Sequence, residues 1–537
     1  MLNFYKLEQR IEQGMQKGHV PGLALAIVKD QEVIYARGFG VTSIEDGGVP
    51  VTPQTLFRIG STTKPMTGTA ILRLVEAGKL DLDRPVKKYI DWLTLSEEDA
   101  ADRVTLRMLM SHTAALPTDA EHFGRRDREG LEAFVRERIP RFPLIAPPGK
   151  LFSYSNPGIC LAGYIAEVVG GKPFVALMQE LVFDLLEMKR TTFDPTVAMT
   201  YPLAQSHSLK QDGTLSVQHR FADNVAHYPA GFVMSTVLDL ANFAMMQMHQ
   251  GCFKDKQILA PESVATMQAS QVDLYTLTGT GYGLTFGVDT YKGLRRVGHD
   301  GGISTFVSRF DMLPDESVAV IMLFNRGSME FDSEGIVNSI FDELLGLPEE
   351  TPGPQEVEAE RSYWPRYAGS YLGQWVGLAI IQVTEDQLAL DLNGKIIPLK
   401  ALRQDLYFGE RPEGKGRISV GFVPEVEGPT QYILIDGNMC KRIERDRAFE
   451  PEPAVWSGYA GVYASEGLDT YTVSTKDGHL VIHSQVDNAE VKCFPLDKRR
   501  FACAWGFFEF LVDDNGVATA VRQGDMWTFR RVEEITG

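Results

Sequence analysis

The spacing of apolar residues near the start of the chain predicts a helix followed by a β-hairpin. Apolar residues recur at helical intervals between charged ones, at Phe4, Leu7, Ile11 and Met15. This spacing is typical of an amphipathic helix. Two apolar runs then flank a Lys-Asp pair in LALAIVKDQEVIYARGFG, and that pattern predicts two strands joined by a tight turn.

Similar patterns continue through the first 346 residues. Apolar residues at helical spacing predict helices over residues 66–77 and 239–250. The stretch FVSRFDMLPDESVAVIMLFN predicts two strands on either side of Pro314-Asp315. Strands at both ends with helices between them indicate one antiparallel sheet flanked by helices. We therefore expect an α+β domain over residues 1–346.

The rest of the chain has a repetitive pattern. Residues 347–363 and 448–454 are rich in Pro and Glu, a composition typical of linkers. After each linker a short sequence recurs, YAGSY from Tyr367 and YAGVY from Tyr459, at an offset of 92 residues. Both copies alternate apolar and polar residues between turn signals. We expect two small antiparallel barrels or sandwiches, over residues 364–447 and 455–537.

Composition and charge exclude several classes of partner. The formal net charge is −18, which disfavours nucleic acid and anionic membranes, because phosphate binding needs clustered Lys and Arg. The first residues carry charges throughout, unlike a secretory signal. The sequence has no apolar run of about 18 residues, the length of a membrane span. The five cysteines form no CxxC pair, which favours reduced, buried thiols. We expect a cytoplasmic protein.

The first chemical motif runs from Ser61 to Lys64 with two threonines between them. A serine three residues before a lysine at the start of a helix places both side chains on one face. A neutral lysine there can take the serine's proton and make the hydroxyl a nucleophile. The amides at the helix N-terminus favour developing negative charge. The alternative is an N-capped surface helix, since about one S-x-x-K is expected by chance in such a chain.

The second motif, Tyr154-Ser155-Asn156, follows a Pro-Pro-Gly turn. A phenol beside a lysine loses its proton more easily, because the positive charge favours phenolate. Such a phenol can act first as general base and then as general acid. The alternative interpretation is a tyrosine that packs on a proline-rich turn.

The third motif, His299-Asp300-Gly301-Gly302, precedes a strand-like run. Glycines allow a substrate backbone to approach a strand edge closely. The amide of Gly302 could be a second oxyanion donor beside that of Ser61. The alternative is a glycine-rich hairpin with a solvated histidine.

Other histidines and missing motifs narrow the chemistry. We expect His112 to make a structural hydrogen bond, and His227 to lie near the cleft without a catalytic role. The sequence contains neither His-Glu-x-x-His nor Gly-x-Ser-x-Gly, so metallohydrolases and nucleophile-elbow hydrolases have no support. We expect neither a metal nor a cofactor.

In this order, the three motifs resemble those of the penicillin-recognising serine hydrolases, especially the class C β-lactamase-like branch. Flanking segments agree, including LFRIGSTTKPMTGTAILRLVEAGKLDLDRPV and PGKLFSYSNPGICLAGYIAEVVGG. The resemblance covers residues 5–345 and implies a β-lactamase/transpeptidase-like fold. It implies catalytic roles for Ser61 (nucleophile), Lys64 and Tyr154 (proton transfer) and His299. It implies substrate or oxyanion contacts for Asn156, Gly301, Gly302 and Asp300.

Several positions depart from the family pattern. His299 stands where β-lactamases have a lysine that grips the substrate carboxylate, and an unperturbed histidine is mostly neutral at about pH 7. Asp300 beside it would repel a carboxylate and could pair with a substrate ammonium group. Phe232 and Thr305 stand where many relatives have glycine, so we expect a narrower cleft.

The D-aminopeptidase branch of the family also carries two C-terminal antiparallel, lipocalin-like barrels. The resemblance therefore implies an acyl-enzyme at Ser61 formed from a small molecule or short peptide, by a D-stereospecific aminopeptidase or amidase. Carboxylesterase and transacylase activity are the first alternatives, followed by β-lactamase action and non-catalytic binding of peptidoglycan fragments. The barrels could cap the cleft, join subunits into a homo-oligomer or only stabilise the fold.

Overall fold

The computed structural model describes most of the chain. The described residues are 2–118, 121–210, 212–348, 353, 355–384, 386–392, 394–411, 416–444, 452–465, 470–485, 489–503, 505–524 and 527–532. The chain divides into two compact units. Unit 1 comprises Met1–Val272 and Gly281–Pro352, and unit 2 comprises Asp273–Thr280 and Gly353–Gly537.

The helices include all those expected from apolar spacing. They are α1 (Phe4–Lys17), α2 (Thr63–Glu76), α3 (Leu106–Met110), α4 (Gly130–Glu137), α5 (Asn156–Gly170), α6 (Phe174–Met178), α7 (Pro195–Ala198), α8 (Tyr228–Gly231), α9 (Val237–Met248), α10 (Pro261–Gln268), α11 (Ser333–Leu345) and α12 (Trp364–Tyr367). The N-cap of the first helix is Asn3, whose side chain accepts a hydrogen bond from the backbone amide of Lys6, a common way to begin a helix.

The strands up to residue 324 are short, apart from the two hairpins predicted from sequence. They are β1 (Gly22–Lys29), β2 (Glu32–Gly40), β3 (Phe57–Arg58), β4 (Ser206–Leu209), β5 (Leu215–Gln218), β6 (Met234–Ser235), β7 (Cys252–Phe253), β8 (Lys256–Gln257), β9 (Val272–Asp273), β10 (Gly281–Tyr282), β11 (Gly287–Tyr291), β12 (Leu294–Gly298), β13 (Gly301–Ile303), β14 (Phe306–Leu313) and β15 (Val318–Phe324).

The main sheet joins the two ends of the first 346 residues, as the sequence predicted. Within the described residues its strand order is β2-β1-β15-β14-β12-β11-β10-β9, and β13 pairs with β14. Strands β1 and β15 are buried on both faces. Helices α1 and α11 contribute to one apolar core with these strands, through residues such as Ile11 and Phe341, and α9 also packs on β1 and β15. The α+β prediction is therefore confirmed.

The C-terminal strands form the two predicted barrels. The strands are β16 (Gly369–Gly373), β17 (Gly377–Val383), β18 (Leu388–Leu392), β19 (Lys395–Arg403), β20 (Leu406–Glu410), β21 (Arg417–Phe422), β22 (Tyr432–Ile435), β23 (Asn438–Ile443), β24 (Gly461–Ala464), β25 (Thr470–Lys476), β26 (His479–Ser484), β27 (Ala489–Pro495), β28 (Arg500–Cys503), β29 (Gly506–Val512), β30 (Ala518–Gln523) and β31 (Trp527–Val532). As far as the structure describes them, β16–β23 and β24–β31 each close into an antiparallel barrel.

Equivalent contacts recur in the two barrels. The hydroxyl of Tyr371 donates to the carbonyl of Tyr367 at 2.7 Å, and that of Tyr463 donates to the carbonyl of Tyr459 at 2.6 Å. Both pairs lie in the sequence that repeats at an offset of 92 residues. The shared contact supports an internal duplication.

The exact domain boundaries remain predictions. Residues 349–352 and 354 of the first predicted linker, and residues 448–451 of the second, lie outside the described residues. Among the residues described, no single helix is long and apolar enough to cross a membrane. One bent pair, Asn156–Gly170 with Phe174–Phe183, reaches that length and composition when its two helices are taken together.

Candidate active site

Ser61 and Lys64 lie on consecutive turns at the start of α2. Ser61 is in a single 3-10 turn, Gly60–Thr62, that runs directly into the helix. The Lys64 side chain is completely buried, and its Nζ donates to Ser61 Oγ at 2.8 Å and to the carbonyl of Ala230 at 2.7 Å. The spacing of the first motif therefore brings its two functional groups into direct contact.

Burial changes the protonation of Lys64. Both groups that receive its hydrogen bonds are uncharged, and burial lowers the pKa of the amine to about 7. A buried ammonium is disfavoured because it loses its hydration. About half of the Lys64 side chains are therefore neutral near pH 7, and a neutral amine can accept the proton of Ser61.

Tyr154 reaches Ser61 from the opposite loop. Its hydroxyl forms a hydrogen bond with the Ser61 side chain, and Lys64 Nζ lies 4.9 Å from the centroid of its ring. Burial raises the pKa of Tyr154 far above its ordinary value, and the hydrogen bond from Ser61 only partly opposes this. The expectation that the neighbouring lysine lowers this pKa is wrong, because loss of hydration on burial is the dominant effect.

A small cavity opens beside Ser61. It has a volume of about 50 Å³, and its walls include Glu121, His122, Asn156, His227, Phe232 and Ile303. Burial lowers the pKa of both histidines to about 4, so both imidazoles are neutral at pH 7. Glu121 forms an ion pair with Arg138 at 2.6 Å. The cavity therefore offers one carboxylate and two uncharged imidazoles to a small group bound to Ser61.

The glycines of β13 let that strand approach the Ser61 turn. A Cβ atom on Gly301 would lie 2.0 Å from the carbonyl oxygen of Ile59 and 2.9 Å from the amide nitrogen of Ser61. No side chain fits into such a gap, so the close approach requires glycine. Gly302 follows along the strand and lines the cavity. The arrangement brings the backbone of β13 beside the amide of Ser61.

His299 is held in one neutral form. Burial, with a smaller effect of Lys64, lowers its pKa to about 3. Its Nδ1 lies 2.6 Å from the carbonyl of Asp300, which can only accept, so Nδ1 carries the proton. Its Nε2 then accepts from the hydroxyl of Tyr282 at 2.9 Å. Both ring nitrogens are thus engaged within the protein, and His299 carries no charge for a substrate carboxylate.

The side chain of Asp300 does not line the cavity beside Ser61. Its side chain is 59% exposed, and its carboxylate lies 3.8 Å from Arg309 Nη1. The structure therefore gives no support to the idea that Asp300 pairs with a substrate ammonium group, since its carboxylate lies outside that cavity.

Comparison with known proteins identifies the family. A family model described as Beta-lactamase matches residues 7–339, well over half of the chain. The chain belongs to the beta-lactamase family. As a member of this family it is a serine hydrolase related to penicillin-binding proteins.

Curated proteins resemble this chain at moderate identity. Penicillin-binding protein 4 of Amycolatopsis lactamdurans is 28% identical over 376 residues, covering 68% of this chain and 98% of the relative. Unguisins hydrolase ungD' of Aspergillus campestris is 26% identical over 354 residues, 63% of this chain and 64% of the relative. Protein flp of Staphylococcus aureus (strain MW2) is 26% identical over 328 residues, 60% of this chain. The chain spans only 63% of the length of flp.

Solved structures match a larger share of the chain than the family model does. The octameric penicillin-binding protein homologue from Pyrococcus abyssi is 25% identical, with a TM-score of 0.59, and the match covers 82% of this chain and all of that one. SurE, solved with D-Leu, is 23% identical with a TM-score of 0.62, and the match covers 82% of this chain and 99% of SurE. The similarity to SurE shows a shared fold.

The structure adds residues that the family motifs do not contain. Tyr282 lies in GYGLTFGV, a segment that resembles the family but gives no sign of its contact with His299. Glu121 and His122 lie far from every motif, and their place in the cavity leaves no sequence signal. His227 lies beside the cavity, as expected, with its Nδ1 3.9 Å from Cys160 Sγ.

Proposed function

We propose that this protein hydrolyses amide or ester bonds through an acyl-enzyme at Ser61, and that its substrates are small D-amino-acyl amides or peptides. The observation that carries the proposal is the position of Ser61 Oγ. It receives a hydrogen bond from Lys64 Nζ, contacts the Tyr154 hydroxyl and lies beside a small cavity. A nucleophile held by a base and a phenol is equipped for covalent catalysis.

The lowered pKa of Lys64 and the raised pKa of Tyr154 give these two residues different roles in proton transfer. Neutral Lys64 takes the proton of Ser61 as the oxygen attacks the substrate carbonyl. The amides of Ser61 and Gly302 stabilise the negative charge that develops on the carbonyl oxygen. Tyr154 keeps its proton in the resting enzyme and can deliver it to the leaving group, while Lys64 restores it. Water then enters and the same groups assist its attack on the ester.

The charges around Ser61 favour a substrate with an amino group over one with a carboxylate. His299 is neutral and fully hydrogen-bonded, so the carboxylate grip of β-lactamases has no equivalent at this position. Glu121 contributes a carboxylate to the cavity, and the neutral imidazole of His122 is a hydrogen-bond acceptor. We assign to Glu121 the ammonium contact that the sequence had suggested for Asp300, because Glu121 lines the cavity and can contact an ammonium group while it keeps its ion pair with Arg138.

The preference for D-amino acids rests on the resemblance to the D-aminopeptidase branch. The crystal structure of SurE with D-Leu supports the same choice. Esterase activity is the second candidate, because an ester needs only the acylation groups and the cavity of about 50 Å³ suits a short acyl chain. EstCE1, described as a hydrolase with promiscuous acyltransferase activity, keeps transacylation open as a variant of the same chemistry.

One experiment separates these candidates. The wild-type protein is treated with a fluorophosphonate probe and analysed by intact mass, beside D-Ala and L-Ala p-nitroanilides and a p-nitrophenyl ester, with Ser61→Ala as the control. We expect one label on the wild type, none on the variant, and faster cleavage of the D-anilide. Turnover of the ester alone would move the protein to the esterase class. If the wild type shows no labelling and no turnover of any of these substrates, the proposal that this protein is an enzyme is contradicted.

The amino-group contact has its own test. Glu121→Gln should raise KM about tenfold for D-Ala p-nitroanilide and leave KM unchanged for its N-acetyl derivative, since only the former carries the charge. Asp300→Asn is the matched control, because it removes a carboxylate outside the cavity and should change neither. Equal effects of Glu121→Gln on both substrates would refute the contact.

A homo-oligomer remains part of the proposal. The structural neighbour from Pyrococcus abyssi is described as octameric, and light scattering after size-exclusion chromatography would give the mass of this protein in solution. A measured mass equal to one chain, at the concentration used in the activity assays, would contradict the proposed homo-oligomer.

A further inference from the structure

A buried histidine outside the three motifs lies directly against Tyr154. His112 is 1% exposed and follows α3 in a left-handed backbone conformation with φ of 57°. Its ring centroid lies 4.4 Å from that of Tyr154 and 4.8 Å from that of Tyr282. Histidine adopts this conformation more readily than most residues with a Cβ atom, so the contacts of its side chain, rather than its backbone conformation, indicate a role.

His112 accepts two hydrogen bonds, from the residues immediately before and after Tyr154. The amide of Ser153 donates to the carbonyl of His112 at 2.8 Å, and the amide of Ser155 donates to His112 Nδ1 at 3.0 Å. The residues immediately before and after Tyr154 are therefore both fixed to one residue. Together with the ring contact, these bonds determine where the phenol hydroxyl lies.

The tautomer of His112 follows from these bonds. Because Nδ1 accepts a hydrogen bond, the proton of the neutral ring is on Nε2. Burial lowers the pKa of His112 well below its ordinary value, and the charge of Lys64 acts in the same direction. His112 therefore stays neutral, and its acceptor remains available to Ser155 at every pH at which Lys64 titrates.

The second ring nitrogen of His112, Nε2, indicates that a contribution to stability is not the reason for a histidine at this position. Within the part of the chain that the structure describes, Nε2 is buried without a hydrogen-bond partner. An unpartnered buried donor costs free energy, and a left-handed conformation adds to that cost. An apolar side chain would avoid the first of these penalties, but it would leave the amide of Ser155 without its acceptor.

We propose that His112 is a positioning residue that holds Tyr154 in reach of Ser61 through its neutral Nδ1. This inference rests on the proposed role of Tyr154 in proton transfer. General acid–base groups contribute roughly 10²- to 10⁴-fold to rates, and a displacement of about 1 Å is enough to lose about 100-fold. Loss of the Nδ1 acceptor should therefore reduce kcat far more than it changes KM.

A pair of substitutions separates the acceptor from the ring. In His112→Asn the amide oxygen occupies the place of Nδ1, and asparagine tolerates the left-handed conformation. In His112→Leu the acceptor is absent. Using the p-nitrophenyl ester or D-anilide that the wild type cleaves, we expect kcat to fall about 100-fold in the leucine variant and less than about tenfold in the asparagine variant, with KM within about threefold.

His207→Leu is the matched control for burial. His207 is also fully buried, its Nε2 accepts a backbone amide from Ile44, and its Nδ1 has no partner among the described residues. We expect this variant to lower the thermal midpoint without the loss in kcat. If His112→Leu does not fold, His112→Gln replaces it, because its amide oxygen lies one bond too far to reach Ser155.

A double-mutant cycle with Tyr154→Phe decides whether His112 acts through Tyr154. If it does, His112→Leu should cost less than about threefold in the Tyr154→Phe background, because the group that it positions is already gone. Independent, multiplying losses would overturn the proposal, as would equal damage by asparagine and leucine. Wild-type activity of Tyr154→Phe itself would instead contradict the proposed mechanism.

Discussion

The lowered pKa of Lys64 predicts how the reactivity of Ser61 depends on pH. Only the neutral amine can accept the serine proton, so the acylation rate should follow the neutral fraction of Lys64. With a pKa of about 7, that fraction is about a tenth at pH 6, about half at pH 7 and about nine-tenths at pH 8. The rate should therefore rise about tenfold from pH 6 to pH 8 and then level off.

The assay is the rate of fluorophosphonate labelling of Ser61, measured by intact mass from pH 5 to pH 10. The labelling rate depends on attack by Ser61 on the probe, and it does not require Tyr154 to protonate a leaving group. Lys64→Arg should label at least about 100-fold more slowly, because a guanidinium cannot lose its proton in this range. Tyr154→Phe should label more slowly but with the same midpoint, since the pKa of Tyr154 is raised by burial.

Two outcomes would refute this reasoning. A lysine with its ordinary pKa of 10.5 would let the rate keep rising about tenfold per pH unit through pH 9. A flat profile would mean that no group near Ser61 titrates in the range. A midpoint that shifts in Tyr154→Phe would assign the titration to the phenol instead.

Three further changes have distinct expected results. Gly301→Ala should abolish labelling of Ser61, because the new Cβ atom would lie 2.0 Å from a carbonyl oxygen. In the control variant Gly302→Ala the new Cβ atom meets nothing within 4 Å, and circular dichroism should show a normal fold. Phe232→Ala should enlarge the cavity and raise kcat/KM for esters with longer acyl chains relative to acetate, and an unchanged chain-length profile would place the acyl group elsewhere. Tyr371→Phe should lower the free energy of barrel unfolding in urea by roughly 1–3 kcal/mol, because its hydroxyl donates to the carbonyl of Tyr367 and accepts from Arg442 Nη2, and it should leave labelling unchanged.

The sequence predicted the architecture well because the elements are strongly patterned. The helix at Ile11 buries one apolar face, and β1 and β15 of the hairpins are continuous apolar runs buried on both faces; both patterns are visible without an alignment. The contact between Ser61 and Lys64 was equally predictable, since three residues span less than one helical turn.

Protonation states could not be predicted in the same way. The meeting of the first two motifs in one cleft suggested that Lys64 would lower the pKa of Tyr154, but the direction depends on burial, which only the fold determines. His299 is a similar case. Its residue type permitted a positive charge, yet the carbonyl of Asp300 and the hydroxyl of Tyr282 fix it as a neutral ring. Contacts such as that of His112 with Ser155 join segments 43 residues apart and have no local signature.

Several features near Ser61 lower the stability of the folded protein, and they help to distinguish an enzyme from a binding protein. Lys64 is buried with its pKa lowered, and His112, which has a Cβ, adopts a left-handed conformation. Each feature lowers stability, and proteins keep such features where activity depends on them. A protein that only bound its ligand would need shape and charge at the cavity, but it would have no use for a half-neutral lysine in contact with a serine. The cluster therefore favours turnover at Ser61 over binding alone.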